Sequence, residues 1–325
     1  MSIVRWGRRE AIGADPLAVD ELDGAAMLVI DDVTALDDAQ LAWCRRAPCV
    51  VVAVADVVSD ASRAVDVTID SGMPTELAVL ERLEARACVY PNACRALVDV
   101  LRAVPALDVA AALVLESLAY SMLLAGTEFA EWLANRVPRT RHDGDGPAVR
   151  LGRDGDSLRV TLARPENRNA FSAEMRDALF ETLTAAEIDT SLAEIVVDAD
   201  GPSFSSGGDL TEFGTADDVV RAHQIRTLRS VGAVLSRLAP SVTAIVQGPC
   251  IGAGVELSAF AGHVVARPGA TFRLPEIEMG LIPGAGGTVS ISRRIGVQAT
   301  ARFALLGEAI TADAALALGL VDELA

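Results

Sequence analysis

The sequence contains no lysine. All 28 of its basic residues are arginines, against 45 aspartates and glutamates, and the formal net charge is −17. So acidic a chain repels the phosphates of nucleic acids and anionic membrane surfaces, and we expect neither as a partner. A ligand that carries phosphates would need arginines gathered locally around its site.

Cysteine and long apolar runs are also scarce. The five cysteines are an odd number without a CxxC pair, which argues against a disulfide framework and a zinc site. We therefore expect no bound metal and a reducing compartment. The most apolar stretch, residues 108–126, is interrupted by Glu116 and by serines, so we do not expect it to span a membrane. The first residues, MSIVRWGRREAIGADP, lack the pattern of a signal peptide, and we expect a cytoplasmic protein.

Apolar side chains are abundant: 51% of the 325 residues are hydrophobic, enough to fill a sizeable core. After residue 148, strand and helix patterns alternate in the pieces SLRVTLARP, SAEMRDALFETLTAAEI, EIVVDAD, SVGAVLSRL, SVTAIVQG and VELSAFAG. This alternation predicts an α/β fold. Residues 136–155 mix Pro, Gly and charge without periodicity, which predicts a linker that passes into a hairpin.

Two glycine-rich blocks bracket two carboxylates. GPCIGAGVELSAF contains Glu256, and ATFRLPEIEMGLIPGAGGT contains Glu276. Small residues from Gly252 to Gly254 leave backbone N–H groups bare at the start of a predicted helix. A third block, GPSFSSGGDLTEF, follows a predicted strand and offers Ser206 as a second N–H donor. Two such donors and two carboxyl groups are what the addition of water to an α,β-unsaturated thioester requires.

These blocks resemble the crotonase (enoyl-CoA hydratase/isomerase) superfamily over residues 148–325. The matching pieces, in order, are ARPENRNAFSAEM, SFSSGGDL, IVQGPCIGAGVELSAF, LPEIEMGLIPGAGGT and ITADAALALGLVDEL. The resemblance implies a crotonase-like α/β spiral of units with two strands and a helix. It also implies that the N–H groups of Ser206 and Ala253 form an oxyanion hole. Glu256 would deprotonate water, and Glu276 would protonate the α-carbon of a trans-2-enoyl-CoA.

The implied substrate is an acyl-CoA thioester, and no cofactor is expected beyond the coenzyme A that it carries. Arg164 and Arg168 are candidates to bind the phosphates of coenzyme A, because a guanidinium group matches phosphate oxygens. A solvated charge at the end of a strand is an equally good explanation of each arginine. Asp209 is expected mainly to support its own loop. The residues assigned to the substrate or CoA site are Arg164, Arg168, Gly207, Asp209 and Gly252.

Other interpretations stay open. Glu256 is also compatible with an acid in the first turn of a helix, and Glu276 with Glu278 is compatible with a pair of solvated loop charges. The glycine-rich loops are compatible with ordinary tight turns. The alternative functions are an enoyl-CoA isomerase, another CoA-enolate enzyme of the family, or a non-catalytic crotonase-like subunit that binds acyl-CoA.

The first half of the chain suggests a rearranged crotonase. We predict a shortened crotonase-like β/α unit over 1–74, with strands at 25–32, 48–56 and 64–72 and a helix at 37–47. A helical subdomain would follow over 75–141, and a linker over 142–147 would precede the catalytic core.

Residues 75–141 resemble the family's closing helices, which cover the CoA site and make much of the trimer contact. We expect them to cover the site in the same subunit or in a neighbour, with Arg136 and Arg139 as further phosphate-binding candidates. An ordinary βαβ cap followed by an unrelated helical bundle is the alternative. The resemblance also implies a homo-oligomer, either a trimer or a hexamer.

Overall fold

The computed structural model describes residues 2–7, 24–55, 59–138, 140 and 144–325. The strands are Ser2–Trp6 (β1), Ala25–Ile30 (β2), Val50–Ala55 (β3), Val67–Asp70 (β4), Val149–Asp154 (β5), Ser157–Leu162 (β6), Glu194–Ala199 (β7), Val242–Val246 (β8), Pro249–Ile251 (β9), His263–Ala266 (β10), Thr271–Arg273 (β11), Ile310–Thr311 (β12) and Glu323–Leu324 (β13). The helices are Asp38–Cys44 (α1), Pro74–Val89 (α2), Pro91–Ala103 (α3), Val109–Leu124 (α4), Thr127–Asn135 (α5), Ala173–Ile188 (α6), Val219–Leu228 (α7), Val231–Leu238 (α8), Ala253–Ser258 (α9), Gly287–Ile295 (α10), Val297–Leu306 (α11) and Ala312–Leu318 (α12).

The N-terminal sheet is parallel, with strand order β1-β2-β3-β4. Its central strands are buried on both faces, as continuous apolar runs in parallel sheets usually are. In β2, Met27 and Val29 face one hydrophobic cluster while Leu28 and Ile30 face another. The predicted strands and the helix of this segment are confirmed. Strand β1 was not anticipated.

The larger sheet has the order β13-β10-β8-β7-β6-β5 and is parallel except for the β5–β6 hairpin. A small third sheet, β12-β11-β9, crosses the glycine-rich segments. Helices α6 and α8 pack on each other beside the large sheet, and their N-caps are Ser172 and Ser230. The predicted α/β organisation of 148–325 is confirmed, and the hairpin lies where it was expected.

Helices α2–α5 connect the two halves through one continuous hydrophobic cluster, which runs from the N-terminal sheet to α11. Polar contacts reinforce this packing. Arg302 forms a bidentate ion pair with Glu76 at 2.5 and 2.6 Å, and Gln298 donates to the carbonyls of Ser62 and Val65 at 2.7 and 2.8 Å. The N-terminal helices therefore pack on the C-terminal half of the same chain.

Helix α4 is the most apolar of these helices, and its N-cap is Asp108. Among the described residues, no single helix has the length and apolar composition to cross a membrane. The pair α4 and α5 reaches that length and composition only jointly, and it is bent by 62°. On the buried face of α4, Glu116 contacts the glycine-rich 286–288 segment, whereas Ser117 and Ser121 contact α7.

Candidate active site

Glu256 lies in the first turn of α9, directly after the sharp turn at Gly252, which has a φ of 49°. Its side chain is buried, with 2% exposure. Its Oε2 accepts hydrogen bonds from the N–H groups of Ala285 at 2.6 Å and Gly287 at 2.9 Å. The segment that follows Glu276 in sequence thus fixes the Glu256 carboxyl group.

Glu276 begins a short 3-10 helix after Pro275. Its Oε2 is buried and has no hydrogen-bond partner among the residues that the structure describes. A Cβ added at Gly252 would collide with Glu276 Oε1, so the backbone of the α9 turn lies against this carboxyl group. Glycine is required at this position both for space and for the positive φ. The two predicted glutamates therefore lie on either side of one turn.

The environment favours the protonated forms of these carboxyl groups. Burial raises the pKa of Glu276 to about 8. Burial also raises the pKa of Glu256 well above its ordinary value, and the nearby charges of Glu276 and Glu116 raise it further. Perturbed carboxyl groups in a buried cluster are typical of an acid/base site.

Glu116 is a third buried carboxyl group, which the sequence analysis did not assign to the site. It lies on α4 with 2% exposure and accepts hydrogen bonds from Gly286 N–H at 2.7 Å and Thr288 N–H at 2.9 Å. The Thr288 hydroxyl donates to it at 2.6 Å. Burial raises the pKa of Glu116 to about 7. The signal was present in the sequence, since a carboxylate that interrupts an otherwise apolar helix needs a partner.

Tyr120, one helical turn beyond Glu116, was also missed. Its ring packs against Gly284, where an added Cβ would collide with it. Burial raises the pKa of its phenol, and the charges of Glu256 and Glu276 contribute to the increase. Helix α4 therefore covers the glutamate pair in the same chain, as one of the two predicted arrangements requires.

The backbone of the 205–209 loop corrects one predicted donor. The Ser206 N–H donates to the carbonyl of Arg168 at 2.9 Å and is not available to a substrate oxygen. The neighbouring Gly207 N–H donates to Ser205 Oγ at 3.2 Å, and the Asp209 N–H donates to Phe171 O at 3.2 Å.

Gly208 lies between these paired groups, and no acceptor for its N–H occurs within the described ranges. The Ala253 N–H, at the first position of α9, likewise has no acceptor there. The two loops are in contact, because a Cβ on Gly207 would lie 3.0 Å from Ile251 O and 3.6 Å from Gly252 Cα. We therefore assign the candidate oxyanion hole to Gly208 and Ala253, in place of Ser206 and Ala253.

The arginine assignments also change. Arg164 is buried, and its guanidinium group donates to the carbonyls of Pro147 at 3.0 Å and Gly146 at 2.6 Å and pairs with Glu174 at 2.5 Å. A phosphate role for Arg164 is therefore wrong, because its donors are used inside the fold. Arg168 is exposed in a left-handed conformation, and its carbonyl fixes Ser206.

The remaining candidates organise the 207–213 loop. Asp209 Oδ1 accepts from the N–H and hydroxyl of Thr211 at 2.9 and 2.7 Å, which is the loop-supporting role expected for it. Arg136, at the end of α5, donates to the carbonyls of Leu210 and Phe213. Arg139 lies outside the described residues.

Comparison with known proteins agrees with this geometry. The family pattern described as enoyl-CoA hydratase/isomerase matches residues 155–325. The 2,3-dehydroadipyl-CoA hydratase of Escherichia coli is 37% identical over 166 residues, which cover 51% of this chain and 64% of that protein. The trans-2-decenoyl-[acyl-carrier-protein] isomerase of Streptococcus mutans is 31% identical over 172 residues, which cover 52% of this chain and 65% of that protein. The chain thus spans less than two thirds of the length of these relatives.

Solved structures give the same result. An enoyl-CoA hydratase from Thermoplasma volcanium matches with a TM-score of 0.51 and 32% identity, covering 55% of this chain and 72% of that one. A Thermobifida fusca structure, described as an enoyl-CoA hydratase in complex with acetoacetyl-CoA, matches with a TM-score of 0.50 and 26% identity, covering 55% and 73%. The matching pattern extends over more than half of the chain, so the protein belongs to the enoyl-CoA hydratase/isomerase family.

Proposed function

We propose that the protein adds water to a trans-2-enoyl-CoA to give a 3-hydroxyacyl-CoA. The observation that carries the proposal is the arrangement around Gly252. Glu256 follows this turn, the Glu276 carboxyl group touches it, and the N–H group of Ala253 begins the helix directly after it. The coenzyme A thioester arrives with the substrate and supplies the activation, so the proposal needs no further cofactor.

The hydrogen bonds around the two glutamates indicate which one holds the negative charge. Glu256 accepts from two backbone N–H groups, which favour a carboxylate. Glu276 has a buried oxygen without a donor among the described residues, which favours the neutral acid. Burial and the charge of Glu276 raise the pKa of Glu256, and the N–H groups of Ala285 and Gly287 lower it. Because Glu256 has these donors and a neutral Glu276 removes one of the opposing charges, we assign the base to Glu256 and the proton donor to Glu276.

The proposed reaction is balanced within this pair. Glu256 takes a proton from water as the water oxygen bonds to the β-carbon, and the double-bond electrons move toward the thioester carbonyl. The N–H groups of Gly208 and Ala253 donate to the enolate oxygen. Glu276 then gives its proton to the α-carbon, and proton exchange between the two glutamates restores the starting state.

Hydration of crotonyl-CoA, followed as loss of the enoyl absorbance, tests the proposal. We expect Glu256→Gln and Glu276→Gln each to lower kcat by about 10²- to 10⁴-fold, since each removes one acid/base group. Glu308→Gln is the matched control, because Glu308 is half exposed in a surface ion pair with Arg82. If both active-site variants kept full activity, the assigned roles would be wrong.

Isomerisation of the double bond is the second candidate, and a specific observation supports it. A protonated, buried Glu276 is also suited to moving a proton between carbons of the acyl chain. One relative is an isomerase by name. Incubation with a trans-3-enoyl-CoA separates the two activities, because an isomerase generates enoyl absorbance from this compound whereas a hydratase does not.

A further inference from the structure

A cavity of about 170 Å³ lies between α4, α7 and the 284–286 loop. This volume is sufficient for several water molecules, and so for a short acyl chain. Part of its wall is apolar and includes Leu257, Phe171 and Val231. Because Leu257 directly follows Glu256, and Ala285 in the wall donates its N–H to Glu256 at 2.6 Å, the cavity adjoins the carboxyl group of Glu256.

Arginines line the other part of the wall, and two of them are neutralised by carboxylates. Arg176 pairs with Asp177 at 2.8 Å. Arg229 pairs with Asp177 at 3.3 Å and with Glu181 at 3.2 Å. These two side chains need no ligand to balance their charge.

Arg226 lines the same cavity and has no ion-pair partner among the described residues, although the charge of Glu116, which also lines the cavity, favours the cation. Its Nε donates to Ser117 Oγ at 3.1 Å, and its Nη2 donates to Ser117 O at 3.3 Å and to Ser121 Oγ. Its guanidinium lies 4.9 Å from the centre of the Tyr120 ring. In the part of the chain that the structure describes, no carboxylate lies within 4.0 Å of Arg226 and no acceptor pairs with its Nη1.

The surroundings of Arg226 make an unpaired positive charge energetically unfavourable. Burial lowers the pKa of Arg226, which reflects a guanidinium that is only partly exposed to water. A partly buried cation is stabilised mainly by an anion and by hydrogen bonds that use its free N–H groups. A carboxylate fits the planar guanidinium geometry best.

We propose that the acyl chain of the substrate ends in a carboxylate that Arg226 binds. The substrate class is then the trans-2-enoyl-CoA monothioester of a short α,ω-dicarboxylic acid. The inference rests on the proposed hydratase function, since it places the reacting double bond beside Glu256 and the far end of the chain in the cavity. It makes Arg226 a residue that determines substrate specificity.

Three substrates of the same reaction test this inference. They are crotonyl-CoA, trans-2-hexenoyl-CoA and the monothioester of trans-2-hexenedioic acid, which differs from hexenoyl-CoA only in its terminal carboxylate. We expect kcat/KM of the native protein to be at least about tenfold higher for the dicarboxylic substrate than for hexenoyl-CoA, the size of one or two charge-assisted hydrogen bonds. Equal values, or a preference for hexenoyl-CoA, would overturn the inference.

Arg226→Met assigns the preference to this residue. We expect it to lower kcat/KM for the dicarboxylic substrate by about 10- to 100-fold and to change kcat/KM for crotonyl-CoA by less than about threefold. Arg221→Met is the matched control, because Arg221 is an exposed arginine on the same helix. A parallel loss on both substrates would contradict a specificity role.

Competitive inhibition provides a test that does not require the Arg226→Met variant to fold. If Arg226→Met does not fold, competitive inhibition of the native protein by adipyl-CoA and by hexanoyl-CoA replaces it. Tighter inhibition by adipyl-CoA supports the inference, and equal inhibition opposes it. No turnover of any thioester would contradict the hydratase function, whereas turnover of crotonyl-CoA without a carboxylate preference would contradict the Arg226 assignment alone.

Discussion

The carboxyl group of Glu276, the proposed proton donor, also affects stability, because its pKa of about 8 in the folded state exceeds the ordinary value of 4.5. The folded chain binds this proton more tightly than the unfolded chain. The stability that protonation contributes is therefore fully present below pH 4.5 and is lost as pH rises through about 8.

Glu276→Gln removes this pH-dependent loss. We expect a melting temperature close to that of the native protein at pH 5 and clearly higher at pH 8. At pH 8 the free energy of unfolding increases by on the order of a few kcal/mol. Thermal unfolding across this pH range measures the difference, with Glu308→Gln as the control that shifts equally at all pH values. A constant offset for Glu276→Gln would show that its carboxyl group is not held neutral.

At the same scale, the sequence located the two glutamates better than it predicted hydrogen-bond partners. The local motifs and the family resemblance that they carry pointed to Glu256, Glu276 and Ala253. They selected Ser206 in place of Gly208, since the choice depends on the Arg168 carbonyl, which is distant in sequence. Arg164 failed for the same reason, as its partners come from other segments.

At the scale of elements, helix α4 contributes most to the candidate active site. Its Glu116 accepts three hydrogen bonds from Gly286 and Thr288, and the adjacent Ala285 and Gly287 hold Glu256. Glu116 is therefore a positioning residue that acts on Glu256 through this loop. Its charge also raises the pKa of both Glu256 and Glu276.

Two variants of Glu116 test this role. We expect Glu116→Ala to lower kcat by about 10- to 100-fold, since the loop that positions Glu256 loses its anchor. Glu116→Gln retains part of the loop contacts but removes the charge, so the alkaline limit of its kcat/KM profile should move to lower pH. A loss of activity with an unchanged pH profile would indicate a purely structural role.

At this scale, prediction succeeded for segments whose secondary structure is determined by their own sequence. The strands at 25–30 and 50–55 and helix α4 follow from their own sequences. Strand β1 depends on its pairing with β2, and the partly exposed helix α7 has no fully buried residue and no apolar face to reveal it. Both were missed for that reason.

For the whole molecule, the structure joins two halves that the sequence presents separately. The helices of 74–135 lie over the C-terminal half of the same chain, which the resemblance to closing helices predicted as one of two arrangements. Sequence alone did not distinguish cover in the same subunit from cover by a neighbour. The contacts between Glu116 and the 286–288 segment decide this within one chain.

The opposite face of α4 leads to the prediction of self-association. Val114, Leu118 and Met122 follow one another at helical spacing and are 41%, 52% and 61% exposed. A contiguous apolar stripe that is exposed on a helix is typical of a contact surface. The helix already covers the active site with one face, so we predict that a second copy of the chain covers the other, within the trimer or hexamer that the family resemblance implies.

Leu118→Glu tests this assembly, because it places a charge at the centre of the exposed stripe. We expect the native protein to have the mass of a trimer or hexamer by light scattering after size-exclusion chromatography, and the variant to have a smaller mass while retaining its circular dichroism spectrum. Ile188→Glu is the control, since Ile188 is 80% exposed at the end of α6 and lies outside the stripe. A monomeric native protein, or an equal loss of mass in both variants, would argue against α4 as the contact between subunits.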